Sequence, residues 1–189
     1  LREMRNAEQS LSRVYAALEG QYDAVVSLSN AISSDSQIED LLDREYDSPV
    51  NYYNTYYMEL RPVLNRYSLA YNQQVTTLYV YSDNFTMFNG GYCLYITPEV
   101  RQEEWFPSQT PSDARLAVYL RKQVGQCNIL QLCVTRTLHA DSPFTQILKI
   151  DLNMEPINTL IEEELSFLSV YLVAPDGTAV CYPGSLQDN

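Results

Sequence analysis

The side chains that could act on a ligand in this chain are aromatic and hydroxyl-bearing rather than nucleophilic. Its 189 residues include 16 tyrosines but only one tryptophan and one histidine. A tyrosine has an apolar ring and a polar tip, so it suits the wall of a groove or an interface better than a dry core. A dense group lies in LYVYSDNFTMFNGGYCLY, residues 78–95. The chemistry that this stretch predicts is stacking and hydrogen bonding to a bound molecule.

The residues that could support catalysis lack the arrangement that catalysis needs. His139, Asp141 and Ser142 lie so close in sequence that a Ser-His-Asp triad is not expected from them, and no nucleophile elbow is present. Glu103 and Glu104 are adjacent and would point apart on a helix, so they cannot flank a glycosidic bond. No cysteine or histidine pair has zinc-site spacing. The sequence therefore predicts no catalytic residue, no metal and no cofactor.

The charge of the chain excludes two classes of partner. The net charge is −12, from 24 acidic and 12 basic residues. Such a surface repels phosphate backbones and anionic lipid, so neither nucleic acid nor an anionic membrane surface is an expected partner. The chain begins within an amphipathic pattern and ends at PGSLQDN, which we interpret as a piece of a longer protein.

The four cysteines leave the question of disulfides open. They are Cys93, Cys127, Cys133 and Cys181. If residues 127–133 form one strand, the two ends lie about 20 Å apart at about 3.3 Å per residue, too far for a bond between them. An even number still allows other pairings.

The first third of the chain is predicted to be helical. A heptad-like apolar pattern with one polar slip at Gln21 predicts a helix of about thirty residues. Its apolar positions are Met4, Ala7, Leu11, Val14, Leu18, Val25, Leu28 and Ile32. The helix could be a stalk that pairs with a second copy or leads to a membrane, or it could pack on its own domain. We expect packing for the later heptads and leave both interpretations open for the first ones.

Two further helices follow the long one. Ser36 and Glu39 have capping-box spacing, and Ser48 with Pro49 predicts the start of a third helix. Pro62 should bend or divide that helix. We interpret its apolar stripe as core: Val50, Tyr53, Tyr57, Leu60, Leu64, Tyr67 and Tyr71.

The middle of the chain is predicted to be a sheet. In TTLYVYSDN, period-two alternation places Leu78 and Val80 on one face and Thr77, Tyr79 and Tyr81 on the other. MFNGGYCLYI is expected to form a hairpin with it. TPEVRQEEWF predicts a short helix that begins at the Thr-Pro pair and carries the tryptophan.

The rest of the sequence completes the predicted sheet. ARLAVYLRKQV, NILQLCVTRTL and FTQILKIDLN are expected to be strands, although the first could be a helix. NMEPINTLIEEEL predicts a helix, and SVYLVAPDGTAVCY predicts a hairpin around its Pro-Asp-Gly turn. Long helices followed by an antiparallel sheet with an aromatic groove between them give an α+β fold.

These segments, in this order, resemble a known family. SPVNYYNTYY, LYVYSDNFTMFNGGYCLY, EEWF, LQLCVTRTL, ILKIDLN and VYLVAPDGTAVCYPG are similar to the extracytoplasmic Cache (PAS-like) sensor region of Gram-positive membrane histidine kinases. The resemblance implies N-terminal stalk and packing helices at 1–70 and a membrane-distal PAS-like domain at 71–153. Residues 154–189 would be a helix and hairpin, either the start of a truncated proximal part or a last strand on a single domain.

The resemblance implies an extracellular ligand-sensing domain of a membrane-anchored kinase whose catalytic part lies elsewhere. Cache domains that bind amino acids or amines typically carry an Arg two residues before the Trp and a Tyr after it. This chain has Glu103 and Phe106 at those positions. A sugar or small oligosaccharide is therefore favoured over an amino acid as the ligand.

The candidate ligand-binding residues combine this resemblance with the strand patterns. They are Tyr79, Tyr81, Tyr95, Trp105, Phe106, Tyr119 and Arg136. Three structural alternatives stay open: Trp105 could simply plug a helix onto the sheet, the β-strand tyrosines could be core, and Arg136 could pair with Asp151. The rival function is a protein-interaction or dimerisation module without a small-molecule ligand. A homodimer through the first helix fits either function.

Overall fold

A computed structural model describes residues 2–107, 113–121, 129–165, 170–173 and 179–182. Its helices and five-stranded mixed sheet confirm the predicted α+β class. The helices are α1 (Arg2–Ser33), α2 (Ser36–Leu42), α3 (Pro49–Thr55), α4 (Arg61–Ala70) and α5 (Glu155–Leu165), with a π-helical turn at Tyr56–Leu60 and a 3-10 helix at Val100–Gln102. The strands are β1 (Val75–Ser82), β2 (Cys93–Tyr95), β3 (Arg115–Arg121), β4 (Ile129–Thr137), β5 (Gln146–Leu152), β6 (Val170–Val173) and β7 (Ala179–Tyr182).

The main sheet has the strand order β2-β1-β5-β4-β3, and β6 and β7 form a separate antiparallel pair. The pairs β1–β5, β5–β4 and β4–β3 are antiparallel. The segment that could have been a helix is strand β3. Strand β2, however, runs parallel to β1, with Val80 opposite Cys93. The hairpin predicted over residues 78–95 is therefore wrong in direction, although the two strands do pair.

The loop between β1 and β2 explains this parallel pairing. Buried Asn84 donates from its side-chain amide to the carbonyls of Leu42 and Arg44, at 3.4 and 2.9 Å. Met87 is also buried. These contacts draw the chain away from β1 toward the end of α2 instead of turning it back at residues 83–84. It then returns to the sheet through residues 88–92 and runs alongside β1 in the same direction.

Helix α1 packs on the sheet through its second half, while in its first half Val14 is buried and Arg13 forms an ion pair with Glu164 of α5. Val25, Leu28 and Ile32 are fully buried, which confirms the expectation for the later heptads. Nearer the start of the helix, Leu11 and Tyr15 are 53% and 64% exposed. The polar slip in the pattern has a structural role, because Gln21 Nε2 donates to the carbonyls of Gln74 and Asn153 at 3.0 and 2.8 Å. These bonds join α1 to the turn before β1 and to the end of β5.

The shorter helices agree only in part with their sequence signals. Asp35, not Ser36, caps α2, because its carboxylate accepts the N–H groups of Gln37 and Ile38. Ser48 caps α3 as predicted, with Pro49 in the first turn. The helix is divided near Pro62, also as predicted, since a π-helical turn separates α3 from α4.

The tyrosine stripe of the third helix was assigned to the wrong positions in its first half. Tyr53 and Tyr57 are exposed, whereas Tyr52 and Tyr56, one residue earlier in each case, are buried. The predicted core positions Leu60 and Leu64 are fully buried. The change of helical geometry at residues 56–60 separates the exposed tyrosines from the buried leucines.

The C-terminal elements share the main core. Ile157, Ile161 and Leu165 of α5 and Val170 of β6 belong to the same buried cluster as the second half of α1. The hairpin predicted here is confirmed by the antiparallel pairing of β6 and β7, and its predicted turn, residues 175–177, lies outside the described residues. None of the described helices is long and apolar enough to cross a membrane.

Candidate functional site

The candidate site lies on the face of the sheet opposite the helices. Residues directly opposed across a ladder point to the same face, so the register assigns this face strand by strand. Lys149 lies between Tyr79 on β1 and Thr135 on β4, and Asp151 lies between Thr77 and Cys133. Leu78, Val80 and Val134 occupy the alternate positions and are buried on the helical side. We call the non-helical side the outer face.

A buried ion pair is the centre of the outer face. Lys149 Nζ lies 2.5 Å from Asp151 Oδ1, and each side chain is only 5% exposed. Both groups are also hydrogen-bonded: Thr77 donates to Asp151 Oδ2 at 2.5 Å, and the Tyr119 hydroxyl donates to Asp151 Oδ1 at 3.0 Å. Lys149 Nζ donates to the same Tyr119 hydroxyl at 2.8 Å. Burying two charges is costly and adds little net stability, so such a pair indicates function more readily than structural support.

Aromatic rings cover this pair. The Trp105 ring is 5% exposed, and its centre lies 4.8 Å from that of Tyr81 and 5.1 Å from Lys149 Nζ. Phe106 packs beside it at 5.8 Å. The short helix predicted to carry the tryptophan ends at Gln102, so Trp105 lies in the turn that follows it. The ring occupies the space over Tyr81 and Lys149.

Burial keeps Tyr81 and Cys133 of this face in their neutral forms. It raises the pKa of Tyr81 to about 12, with a smaller contribution from the charge of Asp151. It also raises the pKa of Cys133 to about 12, against the opposing effect of Lys149. Tyr81 is therefore a hydrogen-bond donor at neutral pH and Cys133 is a thiol rather than a thiolate. Cys93 and Cys133 are free and buried, and Cys127 lies outside the described residues.

Two further hydroxyls of this face are buried without a partner. Thr135 Oγ1 and Thr137 Oγ1 have no hydrogen-bond partner within the described part of the chain. Thr135 is 1% exposed and lies directly opposite Lys149. Buried polar groups are normally paired because desolvating them without a bond is unfavourable. Both hydroxyls therefore have unused hydrogen-bonding capacity on this face.

Five of the seven predicted ligand-binding residues lie together on this face. Tyr81, Trp105, Phe106 and Tyr119 form one packed cluster, and Tyr79 contacts Tyr81 at a ring distance of 6.4 Å. Of the alternatives that the sequence left open, Trp105 is buried within this cluster and Tyr81 is half-buried against it.

The other two predicted residues lie elsewhere. Tyr95 packs on Phe85, and its hydroxyl donates to the Met87 carbonyl. Arg136 is opposite Leu148, on the helical side, so its predicted pairing with Asp151 is wrong. The register between β4 and β5 places Asp151 opposite Cys133 on the outer face. Arg136 is three residues after Cys133 on β4, so its side chain lies on the other face.

Sequence reasoning missed the pair at the centre of the site. Lys149 and Thr77 were not considered as ligand-binding residues, and Asp151 was considered only as a partner of Arg136. A signal was present in ILKIDLN, where opposite charges two residues apart share one face of an otherwise apolar strand. Comparison of the chain with protein-family models, with curated proteins and with solved structures finds no match.

Proposed function

We propose that this chain is the extracellular ligand-sensing domain of a membrane-anchored sensor histidine kinase of the Cache class. The observation that carries the proposal is the Lys149–Asp151 ion pair, buried on the outer face beneath Trp105 and lined by hydroxyls. The long α1 packed across the opposite face supports the same proposal, because it links the sheet to the N-terminal side of the chain.

The ligand of this proposal is a small, uncharged, hydroxyl-rich molecule such as a sugar or a short oligosaccharide. The ion pair is already neutral as a unit, so a charged guest would leave one buried charge uncompensated. A polyol offers both donors and acceptors to Thr77, Thr135 and Tyr81. The indole of Trp105 and the ring of Tyr81 supply apolar faces of the kind that sugar rings pack against.

Displacement of Trp105 is the step that would convert binding into a signal. The ring moves off Lys149 when the guest arrives, and the segment 97–107 that carries it moves with it. That segment is attached to the β1–β2 loop by Arg101, whose guanidinium lies 3.9 Å from the Asp83 carboxylate. A bound ligand would shift the balance between a closed and an open arrangement of this segment and pass the difference to the sheet and α1.

The fluorescence of Trp105 tests the proposal, because this is the only tryptophan in the chain. We expect titration with neutral mono- and oligosaccharides to change its intensity and emission maximum, and expect amino acids and organic acids to have no effect. Lys149→Met should abolish the response, with circular dichroism used to verify folding. Arg115→Gln is the matched control, since Arg115 is an exposed cation on the same face of β3. A lack of response to every class of compound in the folded parent chain would contradict the proposal.

A second candidate function is self-association through the first half of α1. Its supporting observation is the exposure of Leu11 and Tyr15, 53% and 64%, on a helix whose second half is packed on the sheet. Large apolar side chains at four-residue spacing on one helix face are typical of a helix–helix interface. A homodimer of this kind is compatible with ligand sensing on the outer face.

A further inference from the structure

A cavity of about 390 Å³ lies at the edge of the sheet, between α4 and β1. Among its lining residues are Arg61, Asn65 and Ser68 from α4 and Leu78 from β1. The volume is within the range of small-molecule sites, about 300–1,000 Å³. The cavity shares Thr77 and Tyr79 with the outer face, but its lining does not include Lys149, Asp151 or Trp105.

The cavity exists because β2 is short. Strand β2 pairs with β1 only over residues 80–82, so among the described residues the edge of β1 at residues 76–79 has no neighbouring strand on that side. Val80 N–H donates to the Tyr92 carbonyl at 2.7 Å. Because backbone groups two residues apart on a strand point the same way, the N–H and C=O of Leu78 point into the cavity.

One end of the cavity is closed by a fixed contact. The Tyr92 N–H donates to the Tyr56 hydroxyl at 2.9 Å, and the Tyr92 hydroxyl donates to Asn65 Oδ1 at 3.2 Å. The approach of Tyr56 requires glycine at position 91, where φ is +64° and an added Cβ would lie 1.9 Å from the Tyr56 hydroxyl oxygen. An extended chain lying along residues 76–79 must therefore end at this point.

The polar groups around the closed end are mainly donors. Arg61 is exposed and stacks on Tyr57 at 5.3 Å, and no carboxylate in the described part of the chain lies within ion-pair distance of it. The Asn65 amide nitrogen has no acceptor among the described residues, and neither does the hydroxyl hydrogen of Tyr56, whose side chain is 2% exposed. Burial raises the pKa of Tyr56, so its hydroxyl stays protonated. Such a set of donors is complementary to a carboxylate.

We infer that this cavity binds the C-terminal end of a peptide as a short added strand. Helix α4 leads through residues 71–74 into β1, so the two run in opposite directions and Arg61 lies toward the closed end of the cavity. A peptide with its carboxylate at Arg61 would run parallel to β1, in line with β2. Its backbone would pair with Leu78, while Asn65 and Tyr56 would donate to the carboxylate.

The test uses NMR, because it detects weak binding residue by residue. The ¹⁵N-labelled chain is titrated with the tetrapeptide acetyl-Ala-Val-Thr-Val, which has a free C-terminal carboxylate, up to about 1 mM. At that concentration a site with a dissociation constant of about 1 mM is half filled. We expect shifts of the amide signals of Thr76, Leu78 and Tyr92. The same peptide with an amidated C-terminus, and acetate alone, should give at most small shifts at these positions.

Two arginines of α4 provide matched variants. Arg61→Gln should weaken binding about tenfold, the effect of one lost hydrogen bond to a charged group. Arg66→Gln should leave binding unchanged, since exposed Arg66 stacks on Tyr67 and does not line the cavity. Equal shifts from the free and amidated peptides, no shifts at residues 76–79, or equal effects of the two variants would each overturn the inference. Because Trp105 fluorescence reads the outer face, this outcome is independent of the sugar titration.

Discussion

At the scale of single residues, Gly91 has the most restricted environment that we describe. Its φ of +64° lies in the left-handed region, and an added Cβ would lie 1.9 Å from the Tyr56 hydroxyl oxygen and 2.8 Å from the adjacent ring carbon. Gly91→Ala therefore should lower the free energy of unfolding by about 2–4 kcal/mol, as strained backbone and displaced core groups do. Urea denaturation followed by circular dichroism measures this change.

Gly20 is the control for that substitution. It lies within α1, and nothing is within 4 Å of the position that its Cβ would take. Gly20→Ala should raise the free energy of unfolding by about 0.5–1 kcal/mol, because alanine loses less backbone entropy in a helix. Equal effects of the two substitutions would show that Tyr56 does not restrict position 91.

The candidate site shows what residue patterns can and cannot predict. Strand alternation correctly placed Tyr79 and Tyr81 on one face, because the period-two rule depends on local geometry alone. The same rule places Lys149 and Asp151, two residues apart on β5, on one face. The face of Arg136 could not be found in this way, because only the register between β4 and β5 shows that it lies on the other side from the carboxylate.

At the scale of elements, the second half of α1 is packed, and its first half carries an exposed apolar stripe beside buried Val14. Leu28 is fully buried against the sheet, whereas Leu11 is 53% exposed. Leu28→Ala should lower the free energy of unfolding by about 2–5 kcal/mol through the cavity it leaves. Leu11→Glu should change it by no more than about 0.5 kcal/mol, as exposed substitutions usually do.

The same two variants separate folding from self-association. In sedimentation velocity, we expect the parent chain to show a mass that increases with concentration and Leu11→Glu to remain monomeric. A charge on the exposed apolar stripe would remove the contact without disturbing the core. A parent chain that stays monomeric at all concentrations would remove the case for an α1 interface.

Element types followed from the sequence more readily than element directions. The helices and the strands β3, β4 and β5 were predicted because hydrophobic period and capping residues are local signals. The direction of β2 was not, since it depends on Asn84 reaching the end of α2, about forty residues away in the sequence. The cap of α2 was missed for a different, local reason, since Asp35 and Ser36 are adjacent and both are favoured capping residues.

At the scale of the whole molecule, buried tyrosine hydroxyls and cysteine thiols make the stability of the fold depend on pH in the alkaline range. Burial raises the pKa of Tyr46, Tyr81, Cys93 and Cys133 to about 12 each in the folded chain. Between about pH 8 and pH 12 the unfolded chain loses these protons while the folded chain keeps them, so the free energy of unfolding falls as pH rises. Full stability is present below about pH 8, under the ordinary pKa of the cysteines, about 8.5, and of the tyrosines, about 10.

Urea denaturation at a series of pH values checks this dependence. Tyr81→Phe should reduce the loss of stability between about pH 10 and pH 12, because the proton that Tyr81 retains in the folded state is no longer involved. Tyr15→Phe, at a position that is 64% exposed, should reproduce the pH dependence of the parent chain. A Tyr81→Phe variant with the parental dependence would contradict the assigned burial of that hydroxyl.

The two bonds of Gln21 have a consequence for how any force travels through the molecule. Its amide nitrogen donates to the carbonyls of Gln74, which precedes β1, and of Asn153, which follows β5. A slide of the helix by one turn, about 5.4 Å, would break both bonds. The helix, the start of β1 and the end of β5 should therefore move together, and the ion pair of Arg13 with Glu164 extends the same coupling to α5.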